Sequence, residues 1–245
     1  MGAIKANNYS SGRPLRFYDA STHETVNMVS HTYLYDDFIG VAVDVTNDWN
    51  SSIVNSSTFA VVASGTGGIG RITTGAVDDD DHDVATPLVW KAANACCMEA
   101  RITTADIANT AMYIGFSDAI TTAADLIPMT YATTTLTTTA ANAAGFFTDK
   151  DATTNRLMAC TVKANVDGTL VEAGDLPVDA AYHIYRVEID ALGNVYFYYD
   201  GALVGTQLLG ITTSTALCAI VSLINREGSA NTLDIDYIRV WQKRV

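Results

Sequence analysis

The chain has 245 residues, a net charge of −13, 49% hydrophobic residues and only 17% charged ones. So apolar a chain of such low charge density is not disordered throughout, and its summed negative field repels nucleic-acid phosphates. No apolar run is long enough for a membrane-spanning helix, and at 26.1 kDa about 70% of the unfolded surface can be buried around one core.

In chain order, residues 1–32 stand apart. They carry Asn7, Asn8, Ser10, Ser11, Gly12 and Pro14 with little hydrophobic periodicity. Arg13 and Arg16 flank Leu15, and Phe17 and Tyr18 follow. Arg and aromatic side chains are favoured at interfaces, so Arg13, Leu15, Arg16, Phe17 and Tyr18 are expected to anchor an extended arm on a partner. The arm holds Lys5, Arg13 and Arg16 against Asp19 and Glu24, so the rest of the chain carries the whole negative excess. The first residues lack the apolar stretch of a secretory leader.

From about Tyr33 the pattern becomes short runs rich in Val, Ile, Thr, Tyr and Phe, separated by Gly, Asn, Asp and Ser. Strands are expected at 58–63, 69–74, 96–103, 110–117, 145–149, 156–163, 183–190, 194–200, 217–224 and 232–242. The run HIYRVEID alternates over 183–190, and TLDIDYIRVW over 232–241 alternates with one slip, which predicts a bulge. Asp190–Asn194 reads as a hairpin turn with Gly193 at positive φ, and Asp200-Gly201 as a second tight turn. The uncharged tract 130–144 reads as a loop or edge strand, and 121–126 and 104–108 as single helical turns. Many short runs of period two predict an all-β antiparallel sandwich or barrel, occupying 33–245 behind the 1–32 arm.

Gly65-Thr-Gly67-Gly68-Ile-Gly70 matches the dinucleotide fingerprint, but that site needs a helix to begin at the last glycine. Arg71–Thr74 is β-prone instead, so a glycine turn between two strands is expected. The run Val77–Asp83 (VDDDDHD) reads as a solvated acidic loop. Asp78, Asp79, Asp80, Asp81 and Asp83 offer the oxygen ligands Ca²⁺ prefers, without the alternating spacing of a calcium loop. Cys96, Cys97, Cys160 and Cys218 show no C-x-x-C spacing and read as buried, reduced thiols. Adjacent Cys96 and Cys97 point to opposite faces of a strand. Asn50 and Asn55 head glycosylation sequons that the lack of a leader discounts. Of five Glu, Glu188 begins an E-x-D sequence with Asp190, but Leu192 and Gly193 stand where a second catalytic Glu would be needed. No nucleophile elbow, zinc helix or phosphate loop is present. No catalytic residue is assigned, and no cofactor beyond the Ca²⁺ option.

The segment HIYRVEIDALGNVYFYYDGALVGT, followed by LCAIVSLINREGSANTLDIDYIRVWQKR, resembles the closing strands of the concanavalin A-like lectin/glucanase superfamily. Tyr35–Phe38 resembles its first strand, which pairs beside the last. The resemblance implies a jelly roll of two antiparallel sheets, whose members include β-glucan hydrolases, sugar binders and purely structural modules. DDFIG, GGIGRITTG, WKAANACCMEARI, MYIGFSDA and DYIRVWQ together resemble virion proteins of tailed phages. This implies a non-enzymatic capsid decoration protein on the virion surface, assembled in the bacterial cytoplasm. Its arm would grip the major capsid protein or neighbouring subunits, and it would form homo-oligomers, trimers among them. The alternative is a carbohydrate-binding module for surface glycans, with Trp90, Tyr196 and Tyr198 as stacking rings. A family 16-like glycoside hydrolase is the remote alternative.

Overall fold

The computed structural model describes residues 16–19, 24–27, 30–40, 42–45, 49–53, 55–62, 67–119, 127–175, 177 and 180–244. The strands in chain order begin with β1 Arg16–Asp19, β2 Glu24–Asn27, β3 His31–Asp36, β4 Asn50–Ile53, β5 Thr58–Val61, β6 Gly70–Thr73 and β7 Asp81–Ala85. There follow β8 Cys96–Thr104, β9 Thr110–Ser117, β10 Met129–Ala132, β11 Thr135–Thr138, β12 Asn142–Asp149 and β13 Leu157–Lys163. The last are β14 Val166–Asp167, β15 Val171–Gly174, β16 His183–Ile189, β17 Val195–Tyr199, β18 Ala202–Gln207, β19 Cys218–Asn225 and β20 Thr232–Lys243. Helix among the described residues is confined to two 3₁₀ turns, Ala92–Asn94 and Ile107–Asn109.

Two antiparallel sheets form the sandwich. The first runs β18-β17-β16-β8-β20-β6-β5, with β3 also paired to β20. The second runs β14-β13-β12-β9-β19-β7-β4, with β15 also paired to β13. The expected all-β sandwich is therefore the fold. Alternation supplies its core: Met98, Ala100 and Ile102 of β8, Val187 of β16, Phe197 of β17 and Val240 of β20 meet Ile114, Phe116, Phe146 and Val221 of the second sheet. The expected slip in the last strand is a bulge between Ile235 and Tyr237. The β16–β17 turn holds Gly193 at φ 83°, and Asp200 and Gly201 at φ 48° and 81° close β17 onto β18, the mirror-image turn that suits strand twist.

The glycine run does what a turn requires. β5 and β6 pair antiparallel around it, and the segment passes over the turn that follows β3. A Cβ on Gly68 would sit 2.2 Å from the carbonyl oxygen of Asp37, and one on Gly70 would lie 2.9 Å from the Phe38 ring. The Asp36 carboxylate holds that turn, accepting from the Phe38 N–H at 2.8 Å and from Trp49 Nε1 at 2.9 Å. Phe38, Trp49 and Phe59 then pack ring on ring.

Three expectations fail, each for a tertiary reason. VDDDDHD is not a solvated loop. Its second half is β7, an interior strand between β4 and β19, and Asp80, Asp81, His82 and Asp83 are buried. Local hydrophilicity is overridden because neighbouring segments supply the hydrogen bonds. Asn55 donates to Asp80, which also accepts from the Val77 N–H. Ser57 Oγ donates to the Asp81 carbonyl at 2.8 Å, so His82 Nδ1–H must donate to Ser57 Oγ at 3.0 Å. His82 Nε2 is then left to accept from Ser51 Oγ at 2.8 Å. Burial lowers the His82 pKa to about 4, so the ring is neutral near pH 7.

Second, 130–144 is loop and edge strand, as expected, only as far as residue 141. It forms the β10–β11 hairpin and the start of β12, which lies between β9 and β13 and is buried along its length. Small side chains suit a strand that must be covered on both faces. Third, Trp90 is buried between the sheets at 2% exposure, its Nε1 donating to Thr86 Oγ1 at 2.7 Å. Its ring has no free face for a sugar.

The four cysteines form no disulfide and are buried. Cys96 belongs to the core between the sheets, whereas Cys97 packs against Trp241 on the opposite face. Burial pushes the thiols of Cys96 and Cys218 up to about 12 and that of Cys160 to about 11. The chain joins the sheet at His31, so the last two residues of the expected arm belong to β3, and Arg16–Asp19 pairs with Glu24–Asn27 as a short antiparallel ribbon. Arg13 and Leu15, and the expected helical turn at 121–126, lie outside the described residues. The other expected turn is the 3₁₀ turn Ile107–Asn109.

Candidate functional site

Each sheet has one face turned away from the shared core, and the two outward faces differ in chemistry. On the second sheet the outward residues are apolar. Tyr113 of β9, Ala143 and Phe147 of β12, Met158 and Cys160 of β13 and Ile220 of β19 form a second core with Ile127, Met129 and Ala140. The β10–β11 hairpin lies over them. The Tyr131 ring sits 6.5 Å from that of Phe147, and the Tyr131 N–H donates to Asp149 Oδ2 at 3.0 Å. Gly145 makes room for the Tyr113 ring, since a Cβ there would lie 2.6 Å from it. The Tyr113 hydroxyl donates to the Phe116 carbonyl at 2.7 Å, and burial raises its pKa well above the ordinary value. This face is filled with the protein's own side chains.

One end of the filled face is pinned by Arg226. Its guanidinium grips Asp149 with Nε on Oδ1 at 3.2 Å and Nη2 on Oδ2 at 3.1 Å. It also bonds Asp79 and lies 3.6 Å from Asp151. Arg226 and Asp149 are both buried, so one ion-pair cluster ties the acidic segment, the β12–β13 turn and the β19–β20 turn together.

The outward face of the first sheet is built of aromatic rings and ion pairs in rows across the strands. Register aligns Tyr198, Arg186, Glu99, Arg239 and Tyr35 in one row. The adjacent row is Tyr196, Glu188, Cys97, Trp241 and Tyr33. Glu99 accepts from Arg239 Nη2 and from the Tyr237 hydroxyl, both at 2.7 Å, with Arg186 at 3.6 Å. Arg186 also pairs with Glu188. Both guanidinium groups lie 5.3 Å from the Trp241 ring. Towards β6, Arg71 grips Asp234 at 2.6 and 2.7 Å, and Arg101 bonds Asp236 at 2.6 Å while stacking 4.3 Å over Tyr182. Burial raises the pKa of Tyr237, with the charge of Glu99 adding to it, and pushes Tyr33 up to about 12.

Of the expected stacking rings, Tyr196 and Tyr198 therefore stand on this face, half-buried, while Phe197 and Tyr199 turn inward. Trp90 is remote from both, in the core between the sheets. Of the arm residues, Arg16, Phe17 and Tyr18 lie in β1. Among the described residues no group of three or more His, Cys, Asp or Glu side chains converges as metal ligands. The five aspartates of the acidic run are drawn apart: Asp78 is exposed, Asp79 pairs with Arg226, Asp80 bonds Asn55, and Asp81 and Asp83 lie in β7. The Arg–Glu rows were not anticipated. Their only trace in the sequence is the period-two placement of Arg186 with Glu188 and of Arg239 with Trp241, which says nothing about which strands adjoin.

No protein-family model matches the chain, and no curated protein matches it. Solved structures do. The carbohydrate recognition domain of Emp47p superposes with a TM-score of 0.60 at 10% identity, over 90% of this chain and 100% of that one. A Bacteroides ovatus GH16 protein of a mixed-linkage glucan locus gives 0.59 at 11%, over 84% and 99%. The β-glucanase of Bacillus licheniformis gives 0.57 at 16%, over 86% and 98%. At these identities the likeness shows the fold, a concanavalin A-like jelly roll, and fold alone does not carry activity.

Proposed function

We propose that the protein is a non-enzymatic structural module of a tailed-phage virion, of the capsid-decoration kind, held to the major capsid protein or neighbouring subunits through its N-terminal residues. The observation that carries the non-enzymatic reading is the state of the two outward faces. One is filled by the β10–β11 hairpin and its apolar contacts. On the other, Glu99, Glu188, Asp234 and Asp236 are each engaged by an arginine. Glycoside hydrolysis needs two carboxyl groups about 5–9 Å apart across a substrate, one of them able to hold a proton. Here each of these carboxylates has an arginine guanidinium on its oxygens in place of open space for a substrate.

The virion assignment is supported by the phage-like segments, which occupy framework positions: the Asp36–Phe38 turn, the glycine run against it, β8, β9 and β20. Mass spectrometry of gradient-purified particles tests it, with the protein expected in many copies per particle. Its absence from particles while abundant in the lysate removes the proposal. Loss of co-sedimentation with capsids on deleting residues 1–29 is the expected outcome for attachment.

A second reading, glycan binding, is favoured by one feature. The outward face of the first sheet sets Tyr35, Tyr182, Tyr196, Tyr198 and Tyr237 beside polar pairs, and flat rings next to hydrogen-bonding groups suit sugars. A glycan array with no signal above background, using full-length protein, would remove it.

A further inference from the structure

At one lateral end of the sandwich β18 closes the first sheet and β13 with β14 closes the second. Four large apolar side chains project there: Leu208 at 75% exposure, Val166 and Leu192 at 68%, and Leu209 at 57%. They form one fixed patch. The Leu209 N–H donates to Asn194 Oδ1 at 2.9 Å, next to the hairpin turn that carries Leu192. Lys163 Nζ donates to the Leu209 carbonyl at 3.0 Å, and Val166 is the register partner of Lys163. Leu209 is also held at φ 53°, a left-handed conformation that costs a bulky residue roughly 1 kcal/mol or more. Among the described residues nothing covers these side chains.

Beside these projections is a groove of about 590 Å³. Its floor is ordered: Gln207 is buried, accepts from Thr161 Oγ1 at 2.5 Å and donates to the Thr169 carbonyl. Glycines keep it open, since a Cβ on Gly168 would meet Gln207 Oε1 at 2.1 Å and one on Gly210 would meet Thr161 at 2.8 Å. The groove is lined by one cation and one anion, Lys163 and Asp167, and the turn that carries Leu192 adds Asp190, in a chain of net charge −13.

We propose that this patch is the contact between two copies of the chain, related by a two-fold axis. Such a contact sets one surface against itself, so the surface must hold both projection and recess. Leu208 and Leu209 are the projection and the groove between Val166 and Gln207 is the recess. Charge selects the same place. Two strongly acidic chains repel over most approaches, whereas the charges lining the groove cancel and the Lys163–Asp167 couple is complementary to its own rotated image. Exposed apolar patches of this kind on folded chains mark interaction sites.

Sedimentation equilibrium of the full-length protein at physiological salt tests the proposal. The expected mass is twice 26.1 kDa, and Leu208→Asp/Leu209→Asp is expected to weaken association at least about 100-fold, as for loss of two central apolar anchors. Asp tolerates the left-handed conformation at 209, and an unchanged melting temperature at monomer concentrations verifies that the variant folds. Leu88→Asp/Val89→Asp, at another exposed apolar pair, is expected to leave the dimer intact. A monomeric wild type at about 100 μM, well above the range of specific dimers, would overturn the proposal. So would a trimer, or a dimer that survives the Leu208/Leu209 charges.

Discussion

The buried histidine of β7 makes stability depend on pH in a calculable way. His82 is fully buried and neutral, held between Ser51 and Ser57, with its pKa lowered to about 4. An unfolded chain protonates the same ring near 6.5. Between those values the unfolded state binds a proton that the folded state refuses, so stability falls as pH drops from about 7 towards 4 and levels off below. At pH 5 the loss relative to pH 8 is about 2 kcal/mol, and its limit is about 3 kcal/mol. Urea unfolding at pH 8 and pH 5 measures the loss in the wild type. The same pair of measurements on His82→Gln, which cannot titrate, removes what carboxylates contribute. The expected difference of differences is about 2 kcal/mol in the stated direction. A value near zero would refute both the burial of the ring and its neutral state.

Replacing Arg226 by Met leaves Asp149 buried without its bidentate partner, and a loss of about 3–5 kcal/mol is expected, read as a fall of roughly 10 °C or more in melting temperature; a shift of a degree would contradict the pinning role. Gly145→Ala drives a methyl into the Tyr113 ring and the Ile114 carbonyl, so a loss of about 1–3 kcal/mol is expected, whereas exposed Gly228, with open space around its Cα, should tolerate Ala in the same denaturation assay. All four thiols should be silent to a thiol-specific reagent in the native protein and all four should react in denaturant, because each is buried. Rapid labelling of native protein would argue against that burial.

Much of the framework was legible in the chain. β9 coincides with its expected span and β16 and β17 fall within theirs, because alternation is a local property that the pleat reads directly. The hairpin turns were legible because Gly193, Asp200 and Gly201 adopt conformations few residues accept. The bulge in β20 showed as a slip in period. Cys96 and Cys97 were assignable to opposite faces for the same reason.

What could not be read locally was which strands are covered on both sides. The Asp-rich run looks solvated until Ser51 of β4, and Asn55 and Ser57 of the turn between β4 and β5, arrive to satisfy it. The tract 130–144 carries no charge and no period, so only its seat against β9 and β13 shows that it continues into an interior strand. The outward face of the first sheet is the same kind of property. Arg186 and Glu188 come from β16, Glu99 from β8, and Arg239 and Trp241 from β20, and only lateral pairing places them in adjoining rows. The sequence by itself determined an all-β antiparallel fold with its cysteines buried, since composition and period are enough for those. The tertiary structure decided that one outward face is filled and the other is a lattice of arginine–carboxylate pairs and aromatic rings, because the chemistry of a sheet face depends on strand order, which period two does not encode.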